Sequence, residues 1–306
     1  MTKQADMATA ISNAVHEGQS LYLGGFTHLI PFAAGHEVIR QELTDLELIR
    51  ATPDLVYDRM IAAGCASKVT FSWAGNPGVG SLRAFRRAVE DAIPNSISIE
   101  EYSHFGLVAR LAAGAQGLPF VPLRTFAGSS LPAHNTAIRT VANPYEDGPD
   151  EMHVVPPLTP DVAIVRAQRA DAQGNAQLWG ILGETVEAAF AAETVVLSVE
   201  ELVDERVIRS DPNRTAIPGT VVDYIVEEPY GSHPSYAQGY YDRDNEAYLD
   251  WNKISRTHDS TMVWLDDWVY SVNDHTEYLE QLSSERLLAL QSQTDYATPI
   301  NVGSYT

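Results

Sequence analysis

A single cysteine, Cys65, stands in the 306 residues, which excludes an internal disulfide and any cysteine-built metal site. Lysine is nearly as scarce: Lys3, Lys68 and Lys253 are the only ones, and arginine supplies the other 17 of the 20 basic residues. No stretch approaches the roughly 18–20 apolar residues of a membrane span, and Met1-Thr-Lys-Gln-Ala-Asp-Met lacks the apolar core of a secretory signal. A soluble, cytoplasmic protein with no membrane partner is expected. The histidines show no HxxxH or HxH spacing, so no metal site is expected. Also missing are the G-x-S-x-G nucleophile elbow, the G-x-G-x-x-G dinucleotide fingerprint and the Gly-Lys-Ser/Thr of a phosphate loop.

Acidic residues are abundant. Asp and Glu number 41 against 20 Lys and Arg, for a formal net charge of −21. Nucleic-acid binding needs clustered cations, which this composition does not supply. The acids are spread along the chain rather than gathered in a tail. Adaptation to high cytoplasmic salt is the reading this favours, since screening shortens self-repulsion to a few Å; an acidic mesophilic enzyme is the alternative. Charge speaks to habitat and solubility, not activity. A hydrophobic fraction of 44% with 20% charged residues predicts a packed globular chain.

Periodicity alternates between short β-rich runs and helices. Ala8, Ile11, Ala14 and Val15 recur at helical spacing, closed by Gly18, and Leu21 to Phe26 reads as a buried strand ending in glycines. Helix over 36–41, strand over 46–50, helix over 55–63, strand over 69–73 and helix over 81–92 follow. A strand over 97–100 and an apolar helix over 105–115 complete the first half. Residues 118–160 are rich in proline, notably Pro144-Tyr-Glu-Asp-Gly-Pro149, and are expected to be mostly loop and edge strand. The rhythm resumes with strand 162–165, helix 184–192 and strand 195–198. Such crossovers imply an α/β fold: an open, mostly parallel sheet flanked by helices. One domain over 1–306 is expected, with a C-terminal helical extension from about residue 240 to 306.

Several stretches could carry chemistry. Gly24 and Gly25 at a strand's carboxyl end allow close approach to the backbone, whose free N–H groups could hold an anion; a bare strand-to-loop turn is the alternative. Phe71-Ser-Trp-Ala-Gly-Asn-Pro-Gly-Val-Gly-Ser81 is a second strand, glycine-rich turn and helix. The helix it opens carries Arg83, Arg86 and Arg87, which could meet an anion or form a solvated face with Glu90. Ile99-Glu-Glu-Tyr-Ser-His-Phe-Gly106 offers Glu101 or His104 as acid/base candidates, with Ser103 a possible helix cap. Asp171 with Gly174-Asn175 marks a tight turn, and His233 sits in a Gly/His/Pro loop.

Gly24-Gly25-Phe26, Gly75-Asn76 with Gly78-Val79-Gly80-Ser81, Glu101-Tyr102-Ser103, Leu118-Pro119-Phe120 with Pro122, Arg169-Ala-Asp171 with Gly174-Asn175, and Ile217-Pro-Gly219 with Gly231-Ser-His-Pro234 occur in one order. In that order they resemble the A (α) chain of family I coenzyme A transferases, nearest the glutaconate CoA-transferase branch, from about residue 6 to about residue 250. The resemblance implies a homologous B subunit as partner, commonly in an A2B2 assembly, with acyl-CoA and small carboxylic acids as substrates. It also implies transfer of CoA through a glutamyl-CoA thioester, without ATP or a metal. Coenzyme A would enter as substrate.

The family's nucleophile lies in a Ser-x-Glu-Asn-Gly-like turn, normally on the B subunit. The comparable turn here, Ser72-Trp-Ala-Gly-Asn76-Pro-Gly78, has no carboxylate, so this chain is expected to shape the pocket rather than attack. Gly24, Gly25, Phe26, Ser72, Asn76, Gly78, Tyr102 and Ser103 are the implied substrate-binding residues. Glu17 stands where the family has Asp or Asn, and the spacing from Gly-Gly-Phe to Pro31 is slightly short. Ring-opening acyl-CoA hydrolases of the same fold use a carboxylate of their A chain near Glu101, which makes Glu101 the catalytic candidate here. A non-catalytic acyl-CoA-binding subunit is the third alternative.

Overall fold

The computed structural model of the protein describes residues 3–145 and 151–292. Helix α1 (Met7–Ala14) begins at Asp6, whose carboxylate accepts the Thr9 amide at 2.7 Å, and it buries Met7, Ala10, Ile11 and Ala14. Then come β1 (Ser20–Leu23), α2 (Phe32–Arg40), β2 (Leu46–Ile49), α3 (Leu55–Ala62), β3 (Ala66–Phe71), α4 (Arg83–Glu90), β4 (Ser98–Glu101) and α5 (His104–Gln116). The four strands are parallel neighbours in chain order, with Tyr22, Ile49, Thr70 and Glu100 in one row. Helix α2 starts earlier than its polar residues suggest. Phe32, Ala33 and Ala34 are buried there, and a Cβ at Gly35 would lie 2.3 Å from Val56 of α3, so the two helices pack unusually close.

The proline-rich middle is more ordered than expected. It forms β5 (Val121–Leu123), α6 (Leu131–His134), β6 (Arg139–Ala142) and β7 (Glu151–Val155), an antiparallel sheet in the order β5-β7-β6. Pro122 is tolerated because β5 is an edge strand. Of the Pro144 to Pro149 stretch, residues 146–149 lie outside the described residues.

The second half supplies β8 (Val162–Ala170), β9 (Ala176–Gln177), α7 (Thr185–Ala191), β10 (Thr194–Leu202), α8 (Glu205–Ser210), β11 (Thr215–Ile217) and β12 (Tyr224–Glu227). Strand β8 lies parallel beside β1, β10 beside β8 and β12 beside β10, while the short β9 and β11 pair antiparallel at the far end of β8. The parallel strands therefore run β4-β3-β2-β1-β8-β10-β12. The expected open, mostly parallel α/β sheet is what forms. Its order reverses between β1 and β8, and in such sheets the crevice outside the carboxyl ends at that point is where ligands bind.

Alternate side chains face two apolar layers: Leu21, Leu23, Leu48 and Val69 join one, Tyr22, Ile49, Val165 and Leu197 the other. Helices α9 (Asn245–Ile254), α10 (His258–Leu265), α11 (His275–Gln281) and α12 (Ser284–Leu290) form the expected extension. Helices α9 and α10 dock on the first layer, where Trp251 is buried and its Nε1 donates to Asp58 of α3 at 2.9 Å, while Tyr278 of α11 and Leu287 of α12 belong to a smaller cluster of their own. Residues 293–306 of the extension lie outside the described residues. No helix among the described residues is long and apolar enough to cross a membrane.

Candidate functional site

Strand β1 ends in a turn that only glycine permits. Gly25 has φ +89°, and a Cβ there would lie 2.5 Å from the His28 carbonyl oxygen and 2.6 Å from that of Leu29. Its amide donates to Thr185 Oγ1 at 3.1 Å, and Gly24 donates to the Ile164 carbonyl at 2.8 Å, tying the turn to β8 and α7. Thr27 and Leu29, with φ of 63° and 52°, hold the rest of the loop in the left-handed region. Two other loops brace it. His28 Nε2 donates to the Ile181 carbonyl at 2.7 Å, and its ring stacks on Tyr236 with centroids 5.2 Å apart.

His28 is fully buried, and burial holds its imidazole down at about 4, from an ordinary 6.5. The unfolded chain takes up this proton at the higher value, so the group's contribution is whole above about pH 6.5 and is lost as pH falls toward 4. Across that window it amounts to about 3 kcal/mol, at about 1.4 kcal/mol per pH unit. Denaturant titrations between about pH 4 and 7 should show stability falling with acid, and His28→Gln should lower the slope by about one proton.

Next along the crevice is Ser72, just beyond β3. Its hydroxyl donates to the Ala51 carbonyl at 2.6 Å and sits 3.1 Å from His104 Nδ1. With the serine proton committed to Ala51, His104 Nδ1 must be the donor. The ring is exposed, at the first turn of α5. Phe26 meets the same ring edge-on at 5.8 Å. Gly24, Gly25, Phe26, Ser72 and His104 are thus gathered at one place.

A polar layer lies directly beneath. Glu184, 1% exposed, accepts the Ala51 amide on Oε1 at 2.9 Å, while Oε2 has no partner. Arg50 and Asp54, each 1% exposed, pair at 3.1 Å. Tyr57 donates to the Ile49 carbonyl at 2.7 Å. Sequence reasoning missed Glu184 and Arg50 as site elements, placing Glu184 only at a helix start.

The remaining predicted residues are distributed differently. Asn76 is buried, its Nδ2 donating to the Tyr248 carbonyl of α9 at 2.9 Å, so its side chain ties the turn after β3 to the C-terminal extension. Gly78, with φ +75°, is exposed at the tip of that turn. Ser103 caps α5 by accepting the Gly106 amide at 3.1 Å and touches Thr125 Oγ1 at 2.9 Å. Tyr102 is buried, donates to Glu100 and lies under the Arg110 guanidinium at 4.6 Å. Arg83, Arg86 and Arg87 do not form one anion-binding face: Arg86 pairs with Glu90, and Arg87 donates to the Ser255 carbonyl at 2.5 Å.

Glu100 and Glu101 have opposite fates because neighbours on a strand face opposite ways. Glu100 is held by Lys68 at 2.5 Å and Arg110 at 2.9 Å, and the Lys68 and Tyr102 hydrogen bonds and the Arg110 charge outweigh burial to lower its carboxyl. Glu101 is exposed and makes no ion pair among the described residues. It lines a cavity of about 690 Å³ with Lys68, Ser130, His134 and Asn135. That cavity adjoins, but is not, the Gly25–Ser72–His104 cluster. Among the described residues no group of three or more His, Cys, Asp or Glu is placed to hold a metal.

The family model for coenzyme A transferase matches residues 4–228. The chain is 45% identical over 283 residues to the A-type chain of the 3-oxoadipate CoA-transferase of Pseudomonas knackmussii, covering 92% of this chain and 99% of that one. It is 32% identical over 308 residues to the A-type chain of the glutaconate CoA-transferase of Acidaminococcus fermentans, covering 95% of each. The crystal structure of that glutaconate CoA-transferase superimposes with a TM-score of 0.91, at 32% identity and covering 95% and 96% of the two chains. The IpdA chain of the cholesterol ring-cleaving hydrolase of Rhodococcus jostii is 28% identical over 271 residues, 84% of this chain and 90% of that one. With the crevice at the sheet's switch point and this family match over most of its length, the chain belongs to the coenzyme A transferases, as a family I subunit of the A type.

Proposed function

We propose that this chain is the A-type half of a heteromeric enzyme, of A2B2 form, that moves CoA between carboxylic acids, a 3-oxo dicarboxylate among them. The substrate class follows the similarity to the A-type chain of the 3-oxoadipate enzyme. The observation that carries the reading is that, among the described residues, no attacking carboxylate stands in the crevice. The turn from Ser72 to Gly78 contains no acid, and Glu184 beneath it is sealed at 1% exposure and bonded to Ala51. A glutamate on the B subunit supplies the nucleophile. Its carboxylate oxygen adds to the thioester carbonyl, the C–S bond of the adduct breaks, and CoA leaves as thiolate, giving the mixed anhydride of the glutamate and the first acid. The thiolate then attacks the glutamyl carbonyl and frees the first acid as its carboxylate. The acceptor acid repeats the two steps in reverse.

In this scheme Gly24, Gly25, Phe26 and Ser72 line the acyl pocket, Asn76, Tyr102 and Ser103 hold its walls, and Gly78 turns the chain at the exposed tip beyond it. Large apolar side chains around the crevice support an interface between subunits there: Trp73 is 50% exposed and Phe105 64% exposed. Contact with a partner would cover them.

The hydrolase alternative is favoured by one observation, the unpaired and exposed Glu101. Glu101→Gln in the assembled enzyme separates the two. CoA exchange within about threefold of the parent supports transfer, whereas a parent that hydrolyses its acyl-CoA without exchange, and loses about 100-fold or more of that hydrolysis in the variant, the usual worth of a general base, supports hydrolysis. We further read the net charge of −21 with three lysines as adaptation to high salt, in a cytoplasmic setting. Raising salt from about 0.1 M to 1 M shortens the screening length from about 10 Å to about 3 Å, and the thermal midpoint should rise with it. A midpoint that falls with salt would rule this out.

A further inference from the structure

A second cavity, separate from the crevice, opens between α3 and the C-terminal helices. It encloses about 160 Å³ and is lined by Arg59, His233, Trp251, Trp264, Tyr278 and Arg286, among others. That is room for about five waters at about 30 Å³ each, and far too little for an acyl-CoA.

Arg59 is the unusual wall. It is 2% exposed, yet forms no ion pair among the described residues. The buried acids on its own helix turn are engaged elsewhere: Asp58 accepts from the Phe85 amide and Trp251 Nε1 at 2.9 Å each, and Asp54 pairs with Arg50 at 3.1 Å. The guanidinium is packed among rings instead, 4.3 Å from the centroid of Trp264 and 5.0 Å from those of Phe32 and Trp251. Its Nη1 donates to His36 Nε2 at 2.9 Å, which fixes that histidine as a neutral acceptor, and its Nε has no partner.

Other groups nearby do not cancel the charge. Asp244 is bound by Arg286 at 2.7 and 2.9 Å and by His233 at 2.9 Å, so its charge is already matched. His233 in turn accepts from the Tyr278 hydroxyl at 2.8 Å. Asp250, at the rim, pairs with Lys253 at 2.8 Å, both of them largely exposed. Asp54 attracts Arg59 only without contact, its own carboxylate being paired with Arg50, and a buried cation with no ion-pair partner is costly unless one is supplied.

We propose that this cavity is a small-anion site, in which one halide or short carboxylate binds against Arg59 and fastens α9–α12 to α3. A chain with a net charge of −21 repels anions in general, so uptake here must be local and saturable. The proposal is independent of the transferase reading.

Thermal unfolding of the full chain tests it, at constant ionic strength, as gluconate is replaced by chloride, bromide or acetate. The expected result is a midpoint that rises and saturates as a ligand's does, and a response lost in Arg59→Met. Saturation with the halides alone identifies the ion as a halide, and with acetate alone as a short carboxylate. Should Arg59→Met fail to fold, bromide-soaked crystals of the parent decide, with an anomalous peak expected within about 4 Å of the guanidinium, the reach of an ion pair. No peak there, no saturating response in the parent, or saturation that persists in Arg59→Met overturns the proposal.

Discussion

Gly25→Ala should lower kcat/KM of the assembled enzyme by about 100-fold or more, because a displacement of about 1 Å in a positioning loop is enough for that loss. The new methyl would sit 2.5 Å and 2.6 Å from two backbone carbonyl oxygens, and neither can move without unwinding the loop around His28 and Leu29. A φ of +89° adds strain of its own. The loop also carries Phe26, which packs on His104, so the disturbance passes straight to the Ser72–His104 pair. Gly78→Ala is the control. That glycine also has positive φ, 75°, but no atom lies within 4 Å of an added Cβ. It should retain far more activity than Gly25→Ala, and equal losses in steady-state assays would refute the steric argument.

Arg50→Met should destabilise the chain by about 3–5 kcal/mol, the usual cost of breaking a buried ion pair from one side. The substitution strands Asp54 at 1% exposure and removes a cation that acts on Glu184, whose Oε2 already lacks a partner. Denaturant midpoints with an unchanged m-value would measure the loss. The double change Arg50→Met with Asp54→Leu should recover part of it, since an apolar pair leaves no orphaned charge. A single-variant cost below about 1 kcal/mol would mean that the pair bears little of the layer beneath the crevice.

The parallel sheet and its switch-point glycines were legible because their signals are local. A strand of apolar residues ending in Gly24-Gly25 says both where the chain is buried and where it must turn. Ser72 was legible only by the resemblance of its turn to the family's nucleophile turn. The prolines of 118–160 concealed a sheet, since a proline at an edge strand costs no ladder hydrogen bond while reading as a breaker. Glu184 and Arg50 were not legible as site elements, because the contacts that matter cross the fold: Glu184 reaches Ala51 from 133 residues away. The Glu100–Glu101 pair shows the same limit in miniature. Pattern alone offers two adjacent carboxylates, and only the distant Lys68 and the nearer Arg110 decide that Glu100 is locked and Glu101 free. For Asn76, Tyr102 and Ser103 the motif matched, but a motif does not say which way a side chain is committed, and each here spends its polar group on the scaffold.

Trapping the acyl-enzyme tests the two-protein account most directly. The isolated chain and its coexpressed complex with a B-type partner would each be exposed to acyl-CoA and then to hydroxylamine, and both polypeptides mapped by mass spectrometry. A hydroxamate on a glutamate of the partner, with none on this chain in either sample, is the predicted result. Adduct formation on this chain by itself, with CoA exchange at the rate of the complex, would contradict it.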